Sequence, residues 1–236
     1  MRHLYNFAVL DLETAGSDIY PPPMEIAAVF IRDGYVSESF STLVNPLVPI
    51  PPFVARMTGI SDDMVQTAPV LSDVLPDLIA AFSGHVLVAH DAEFDVGVLR
   101  FHAEKLGIPF PSAPILCTMR LSKTLFPDLG KYNLDFLLDY FGIPCIERHR
   151  ALGDALGAAR LTLSLLDLLE SGNAGAGDIH VFFQEFAQRK EKKKRSRRPR
   201  AAKKKAVGAE TPVEPEGDDT AQSGFLQQRH RGAEVI

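Results

Sequence analysis

The first third of the chain alternates between apolar runs and polar turns, a pattern typical of short strands. The apolar run at residues 7–10 predicts a buried strand. A longer run at 24–31 and a loosely alternating stretch at 36–44 predict two more strands. Between these two, the sequence Arg-Asp-Gly-Tyr at residues 32–35 favours a tight hairpin turn. The three strands are therefore expected to form an antiparallel meander.

Beyond a proline-rich connection, predicted helices begin to alternate with strands. Short helical segments are predicted at residues 53–57 and 61–65, and a longer helix over 71–82, where apolar residues recur on one face. The apolar run at 85–90 predicts a fourth strand, buried on both sides. A helix over 96–106 should follow it.

The second half of the chain continues this alternation. A short fifth strand is predicted at residues 114–118. Helices are predicted over 121–126, 134–141 and 151–169, followed by a weaker helix over 178–188. A meander followed by alternating helices and strands indicates the α/β fold class, with a mixed five-stranded sheet flanked by helices.

Charge divides the chain into two parts. Residues 1–188 carry 11 Lys and Arg against 23 Asp and Glu, a net charge of −12, whereas residues 189–236 carry 14 against 7, a net charge of +7. We therefore expect a folded acidic domain over 1–188 and a basic, low-complexity tail over 189–236, disordered by its composition. The basic run at 190–205 would attract phosphates, although a merely solubilising tail is an equally open interpretation.

Cysteine content and hydropathy exclude several classes of protein. Cys117 and Cys145 have neither metal-ligand spacing nor a disulfide pattern, so they predict reduced thiols in a cytoplasmic protein. The first six residues do not lead into a signal-peptide core, and no apolar run approaches the roughly 18 residues of a membrane span. We expect a cytoplasmic protein with no membrane partner.

Four carboxylates and one histidine lie at the ends of predicted elements. Asp11 and Glu13, two residues apart at the end of the first strand, should project from one face and repel each other unless a cation lies between them. Asp95 follows the fourth strand, where sites gather in open α/β sheets. Asp154 lies early in the long helix, and His149 precedes it. Singly, each acid is explained equally well as a polar strand end or a helix N-terminal charge, and the histidine as a surface residue.

Taken together, these five residues favour a two-metal phosphoryl-transfer site. Hard cations such as Mg²⁺ or Mn²⁺ prefer oxygen ligands. Two such cations can stabilise the attacking and leaving oxygens of an in-line displacement. A histidine that titrates near neutral pH can accept the proton of the attacking water.

Three ordered motifs carry a family resemblance. Residues 11–16 match the pattern Asp-x-Glu-Thr-x-Gly, residues 90–95 match His-Asn-Ala-x-Phe-Asp at all but one position, and residues 149–154 match His-x4-Asp. On these motifs the chain resembles the DnaQ-like (DEDDh) 3′–5′ exonuclease family, and most closely the branch with the proofreading epsilon subunit of bacterial DNA polymerase III. The resemblance covers about residues 6–170 and implies an RNase H-like fold.

The resemblance implies a role for each matching residue. Asp11, Glu13, Asp95 and Asp154 would bind two Mg²⁺ or Mn²⁺ ions, and His149 would be the general base. The reaction would be hydrolysis of the 3′-terminal phosphodiester of DNA, at single-stranded or frayed ends. It would release nucleoside 5′-monophosphates.

Substrate contacts are implied in the same way. Thr14 and the backbone beside it would hold the terminal nucleotide, and Met57 and Thr58 match a family loop that packs near the terminal base. One departure from the second motif is Asp91, which stands where the family usually has Asn. An extra anion near a polyanionic strand should weaken substrate binding without touching the metal ligands.

Two alternatives to a DNA exonuclease stay open at this point. One is an RNA-trimming 3′–5′ exoribonuclease of the same fold. The other is a non-catalytic module that binds nucleic acid or a polymerase, against which the complete carboxylate set argues. The tail would be the contact to a DNA polymerase or, through residues 222–226, to a sliding clamp.

Overall fold

A mixed five-stranded sheet positions the elements of the protein. The computed structural model describes residues 2–16, 18–145, 147–171 and 179–183. The strands are β1 (Asn6–Thr14), β2 (Pro23–Arg32), β3 (Tyr35–Leu43), β4 (His85–Ala89) and β5 (Ile115–Cys117). The helices are α1 (Pro52–Thr58), α2 (Asp62–Val65), α3 (Leu71–Ala81), α4 (Ala92–Lys105), α5 (Thr118–Leu125), α6 (Leu134–Tyr140) and α7 (Ala151–Glu170), and Ile179–Phe182 form a 3-10 turn.

The strand order is β3-β2-β1-β4-β5. Antiparallel pairing joins the first three strands, as the short polar turns predicted, whereas β1, β4 and β5 run parallel. The expected α/β class with a mixed five-stranded sheet is confirmed. Because Leu10 pairs with Ala89 in parallel register, the carboxyl ends of β1 and β4 meet at one edge of the sheet.

Alternation along β1 divides its side chains between two apolar layers. Phe7 and Val9 belong to the core formed with α7, whereas Ala8 and Leu10 belong to the core formed with α3 and α4. The buried residues in the first half of α7 are mostly small, namely Ala151, Ala155, Gly157, Ala158 and Ala159, whereas those in its second half are mostly leucines. Small side chains let this helix approach the sheet closely, which places its first turn beside the end of β1.

The five predicted strands and the helices predicted before residue 170 are found, although several boundaries are shifted. The helix predicted to start at residue 96 begins at Ala92, because the N–H groups of Phe94 and Asp95 both bond the Asp91 carbonyl, at 2.8 and 3.1 Å. Helix α3 (Leu71–Ala81) contains Pro76 and matches the helix predicted over 71–82.

Two predictions fall partly or wholly outside the described residues. Of the helix predicted over 178–188, the described part is the 3-10 turn Ile179–Phe182 followed by Phe183 in irregular backbone. The whole of the predicted tail, 189–236, lies outside the described residues, so the domain boundary stays a prediction. Within the described ranges, no helix combines the length and the apolar character needed to cross a membrane.

Candidate metal centre

Three carboxylates from two distant segments converge at the end of β1. Asp11, Glu13 and Asp154 each offer an oxygen, and these oxygens lie within 4.8 Å of one another. Asp11 and Glu13 continue the face of β1 that looks toward α7, and Asp154 lies in the first turn of that helix. The strand register shifts between Glu13 and Thr14, so a bulge follows the second acid.

Asp95 approaches the same point from the other side of the sheet edge. It lies in the first turn of α4, is 6% exposed, and interacts with the Leu12 backbone. It is not part of the 4.8 Å group, yet its charge is among the causes that raise the pKa of Asp11. All four acids predicted from the sequence are therefore gathered at one edge.

Burial and mutual repulsion disfavour the charged forms of these acids. Burial, followed by the charges of Asp95, Asp154 and Glu13, raises the pKa of Asp11 well above its usual range. Burial and the charge of Asp154 raise the pKa of Glu13 to about 7. Burial also raises the pKa values of Asp95 and Asp154. A cluster of buried carboxylate oxygens with unfavourable charge is the donor set that suits a hard divalent cation.

His149 lies at the entry to α7 in an unusual backbone conformation. Its φ is +58°, in the left-handed region that non-glycine residues rarely adopt. Its backbone N–H donates to Asp154 Oδ2 at 3.2 Å. The backbone of the turn that carries His149 is thus bound to Asp154, one of the three clustered carboxylates.

A buried ion pair fastens this turn to the sheet. Glu25 in β2 is 3% exposed, and its two oxygens accept from Arg150 Nε at 3.2 and 3.0 Å. Arg150 Nη2 donates to the same carboxylate at 2.6 Å, and the Ala151 N–H donates to it at 2.9 Å. Glu25 therefore binds both a guanidinium and the first turn of α7.

A second arginine, Arg148, donates directly to the cluster of Asp11, Glu13 and Asp154. Arg148 Nη1 donates to Asp154 Oδ1, and Arg148 Nε donates to Asp135 Oδ1 in the first turn of α6. Burial alone would lower the pKa of Arg148, but the Asp135 hydrogen bond and the Asp154 charge outweigh it and raise that pKa. The guanidinium thus links two helices through one proposed metal ligand.

Sequence reasoning did not single out Glu25, Arg148 or Arg150. A signal for Glu25 was present, because a lone acid inside the apolar run of residues 24–31 requires a buried partner. The two arginines flank His149 and carry no comparable signal, since charged residues in a loop are usually solvated.

Both ring nitrogens of the motif residue His90 are engaged in hydrogen bonds within the fold. Its Nδ1 lies 2.9 Å from the Thr118 hydroxyl and its Nε2 lies 2.8 Å from the Tyr132 carbonyl oxygen. Because a carbonyl only accepts, Nε2 carries the proton and Nδ1 accepts from Thr118 in the neutral ring. Burial lowers the pKa of His90, which favours this neutral form. His90 thereby ties the end of β4 to the start of α5 and to the loop before α6.

The predicted substrate residues lie on the neighbouring elements. Thr14 is half-buried directly after Glu13, and its hydroxyl donates to the Gly16 carbonyl at 3.5 Å. Met57 is 51% exposed on α1, whereas the Thr58 hydroxyl donates to the Val54 carbonyl at 3.0 Å. The Thr58 hydroxyl therefore serves its own helix end, and Met57 presents an accessible side chain.

The helix that carries Met57 packs beside the end of β1. Val54 of α1 and Ala15 belong to one small apolar cluster. Asp91, the departure from the second motif, is half-buried at the start of α4, and its charge is the second cause that raises the pKa of Asp95.

Comparison with known proteins gives a consistent group of relatives. A family model described as Exonuclease, RNase T type, matches residues 8–162. A DNA polymerase III of the PolC type from Caldanaerobacter subterraneus subsp. tengcongensis is 39% identical over 181 residues, covering 76% of this chain and 13% of the relative. A protein of Mycobacterium tuberculosis named as a putative bifunctional exonuclease/endonuclease is 39% identical over 185 residues, covering 75% and 28%. The chain thus spans less than a third of the length of these relatives.

Solved structures show the same fold. Exonuclease X, determined with 5′-overhanging duplex DNA, superposes with a TM-score of 0.57 at 27% identity, covering 72% of this chain and 94% of the other. The nuclease domain of 3′hExo, a DEDDh family member bound to rAMP, superposes with a TM-score of 0.64 at 16% identity, covering 78% and 98%. The expected RNase H-like exonuclease architecture is confirmed.

Proposed function

Because the chain belongs to the RNase T-type exonuclease family, we propose that it is a metal-dependent 3′–5′ exonuclease that hydrolyses the terminal phosphodiester of DNA. The observation that carries this proposal is the cluster of half-buried Asp11 with buried Glu13 and Asp154, whose oxygens lie within 4.8 Å of one another. Relatives named as DNA polymerase III and a neighbour determined with DNA support DNA as the substrate. Single-stranded or frayed ends are the expected form.

Asp11, Glu13, Asp95 and Asp154 would hold two Mg²⁺ or Mn²⁺ ions. When bound, these cations would supply the positive charge that stabilises the attacking and leaving oxygens of an in-line displacement. Without cations, the raised pKa values of these acids mean that holding all four as anions is unfavourable. This electrostatic cost has no benefit in a module that only binds nucleic acid, which argues for a working enzyme.

His149 is the proposed general base, which would accept the proton of the attacking water. Its backbone N–H is bound to Asp154, and Arg150 next to it is anchored on Glu25, so the histidine starts from a fixed backbone. Thr14, with Met57 and Thr58 on α1, would hold the terminal nucleotide. Water would attack the terminal phosphorus and the bond to the 3′ oxygen of the preceding nucleotide would break, which releases a nucleoside 5′-monophosphate and leaves a 3′ hydroxyl on the shortened strand.

The cellular setting is part of the proposal. We assign the exonuclease domain to residues 1–188 and a basic tail to residues 189–236, with a DNA polymerase or a sliding clamp as the partner of that tail. Relatives named as DNA polymerase III of the PolC type support a cytoplasmic location. Capture of the partner by the full chain, but not by residues 1–188 alone, would test both the boundary and the role of the tail.

The activity is tested with a 5′-labelled single-stranded oligonucleotide and Mg²⁺ or Mn²⁺. Cleavage from the 3′ end gives a ladder of shortening products, whereas cleavage from the 5′ end releases the label at once as a mononucleotide. Asp11→Asn and Asp154→Asn should each lower the rate by at least about a thousandfold, and His149→Gln by about a hundredfold or more. Asp63→Asn, an exposed acid in α2, serves as the matched control.

A matched RNA oligonucleotide in the same assay decides the substrate. A faster rate on RNA would replace the DNA proposal with an RNA-trimming exonuclease of the same fold. If no mononucleotide appears with either substrate, and Asp11→Asn behaves as the wild type does, the enzyme proposal is wrong.

A further inference from the structure

Arg148 binds two carboxylates, one of which belongs to the cluster of Asp11, Glu13 and Asp154. One edge of its guanidinium donates to Asp135, an exposed residue in α6, and the other edge donates to Asp154 in the metal cluster. The Arg148 side chain is 25% exposed, whereas that of Asp154 is 9% exposed. The guanidinium therefore spans from solvent to the buried acid.

Both oxygens of Asp154 already have donors in this arrangement. Oδ1 accepts from Arg148 Nη1, and Oδ2 accepts from the His149 backbone N–H at 3.2 Å. A divalent cation would need an oxygen of the same carboxylate and would bring two positive charges next to the guanidinium. Since like charges repel in a partly buried site, the cation and Arg148 compete for Asp154.

The neighbouring arginine, Arg150, binds a carboxylate outside the cluster. Arg150 donates to Glu25 three times, at distances between 2.6 and 3.2 Å, and that carboxylate also holds the Ala151 N–H at 2.9 Å. Glu25 is not one of the clustered ligands, so a bound cation leaves this pair intact. Cation binding would thus release Arg148 and leave Arg150 in place.

Resting on the proposed nuclease function, we propose that Arg148 binds the phosphate of the terminal nucleotide, and that it is stored on Asp154 until a divalent cation takes its place. Asp135 keeps its hold on Nε and acts as the pivot, so the freed Nη1 edge can turn toward a phosphate oxygen. A guanidinium fork matches phosphate geometry, and this one directly precedes the proposed general base.

The proposed replacement of Arg148 by a cation on Asp154 predicts changes in two affinities that an arginine with only a structural role would not produce. Removal of Arg148 eliminates a competitor for Asp154, so the protein should bind cations more tightly. The same removal eliminates a phosphate ligand, so the cation-loaded protein should bind a nucleotide less tightly. The two affinities are expected to move in opposite directions.

The experiment is a pair of calorimetric titrations on the full chain. Mn²⁺ is titrated into the wild type, Arg148→Gln and Arg148→Lys, and then dTMP is titrated into each protein at saturating Mn²⁺, so that no turnover occurs. For Arg148→Gln we expect Mn²⁺ affinity to rise roughly three- to tenfold and dTMP affinity to fall roughly tenfold. Arg148→Lys, which keeps the charge without the fork, should lie between the two in dTMP affinity.

Arg32→Gln is the matched control, because it removes an arginine–carboxylate pair with Glu38 at the far end of β2. It should leave both affinities unchanged. Weaker Mn²⁺ binding by Arg148→Gln would overturn the proposal, since Arg148 would then only orient Asp154; unchanged dTMP binding would overturn it as well. The titrations need no hydrolysis. If Arg148→Gln shows the opposed shifts but the wild type does not degrade DNA, the proposed exonuclease is refuted and the role of Arg148 stands.

Discussion

Glu13 and Glu25 face each other directly across the antiparallel pair of β1 and β2. Directly opposed residues project from the same face, so the two acids are neighbours, and the charge of Glu25 contributes to the raised pKa of Glu13. Glu25 is bound by Arg150 and by the N-terminus of α7, whereas Glu13 belongs to the cluster that suits a cation. Glu25 thus anchors α7, the helix that brings Asp154 to Glu13.

Glu25→Gln should destabilise the protein far more than an ordinary surface change. It removes the charge from a buried carboxylate and leaves Arg150, whose side chain is 35% exposed, with a neutral partner. We expect a loss of about 2–3 kcal/mol in the free energy of unfolding, below the full cost of a buried pair because Arg150 is partly solvated. Glu38→Gln breaks an exposed pair on the same sheet and should cost less than about 1 kcal/mol. Equal losses in chemical denaturation would contradict the anchoring role of Glu25.

Without metal, the protein should become less stable as the pH rises from about 4.5 to about 7. The pKa of Glu13 is raised from 4.5 to about 7 in the folded protein. In this window the folded state therefore binds more protons than the unfolded state, and stability decreases with pH. Glu13 alone accounts for a loss on the order of 2–3 kcal/mol across the window.

Thermal unfolding in a chelator at pH 5 and pH 8 measures this effect. Glu13→Gln should flatten the pH dependence, and saturating Mn²⁺ at pH 8 should restore the lost stability. If the wild type in chelator is more stable at pH 8 than at pH 5, the charged forms of these carboxylates do not destabilise the folded protein.

Gly153 is required where α7 passes the preceding loop. A Cβ at this position would lie 1.9 Å from the backbone carbonyl oxygen of Glu147, whereas a Cβ at Gly157 would lie 2.8 Å from the end of the Leu138 side chain. Backbone cannot yield as a side-chain end can, so Gly153→Ala should displace the turn that carries His149. We expect a loss of about 1–3 kcal/mol in stability and at least tenfold in the hydrolysis rate.

Gly157→Ala is the comparison, because both glycines lie in the same helix and gain the same helix propensity, about 1 kcal/mol. Denaturation curves and rates measured side by side separate the two effects. If Gly157→Ala reduces activity as much as Gly153→Ala, the contact with Glu147 is not the reason for the glycine.

Asp91→Asn should tighten substrate binding. The change removes an anion near the proposed path of the strand, and it removes one cause that raises the pKa of Asp95. One unit charge near a phosphate is worth about 1 kcal/mol in a solvated setting, so KM should fall roughly fivefold with little change in kcat. Glu93→Gln is the control. It removes an exposed acid from the first turn of α4, two residues after Asp91, where Glu93 pairs with Arg120 of α5 at 3.5 Å. A KM that rises in Asp91→Asn would mean that the carboxylate supports the substrate.

Periodicity and spacing were sufficient to predict the sheet and to bring four acids together. Asp11 and Glu13 follow from the two-residue repeat of a strand, and Asp95 from the position of a loop at a strand end. The start of α4 at Ala92 was missed because it depends on the Asp91 carbonyl accepting two bonds, which the side-chain pattern does not reveal.

The partnerships of the charged residues could not be read from the chain in the same way. Glu25 and Arg150 are 125 residues apart, and neither one indicates the other. The contact of Arg148 with Asp154 depends on a loop in which His149 has a positive φ, a conformation that the local preference of a non-glycine residue does not predict. Long-range contacts of this kind are properties of the folded state.

The distance along the chain between the acids also sets an order in time. Asp11 and Glu13 leave the ribosome before Asp154, which lies in the helix that begins at Ala151 and docks on the β1–β2 pair through Glu25. A growing chain that ends before this helix lacks one of the three clustered ligands. The carboxylate cluster is therefore complete only after the first turn of α7 has been synthesised and has docked on the sheet.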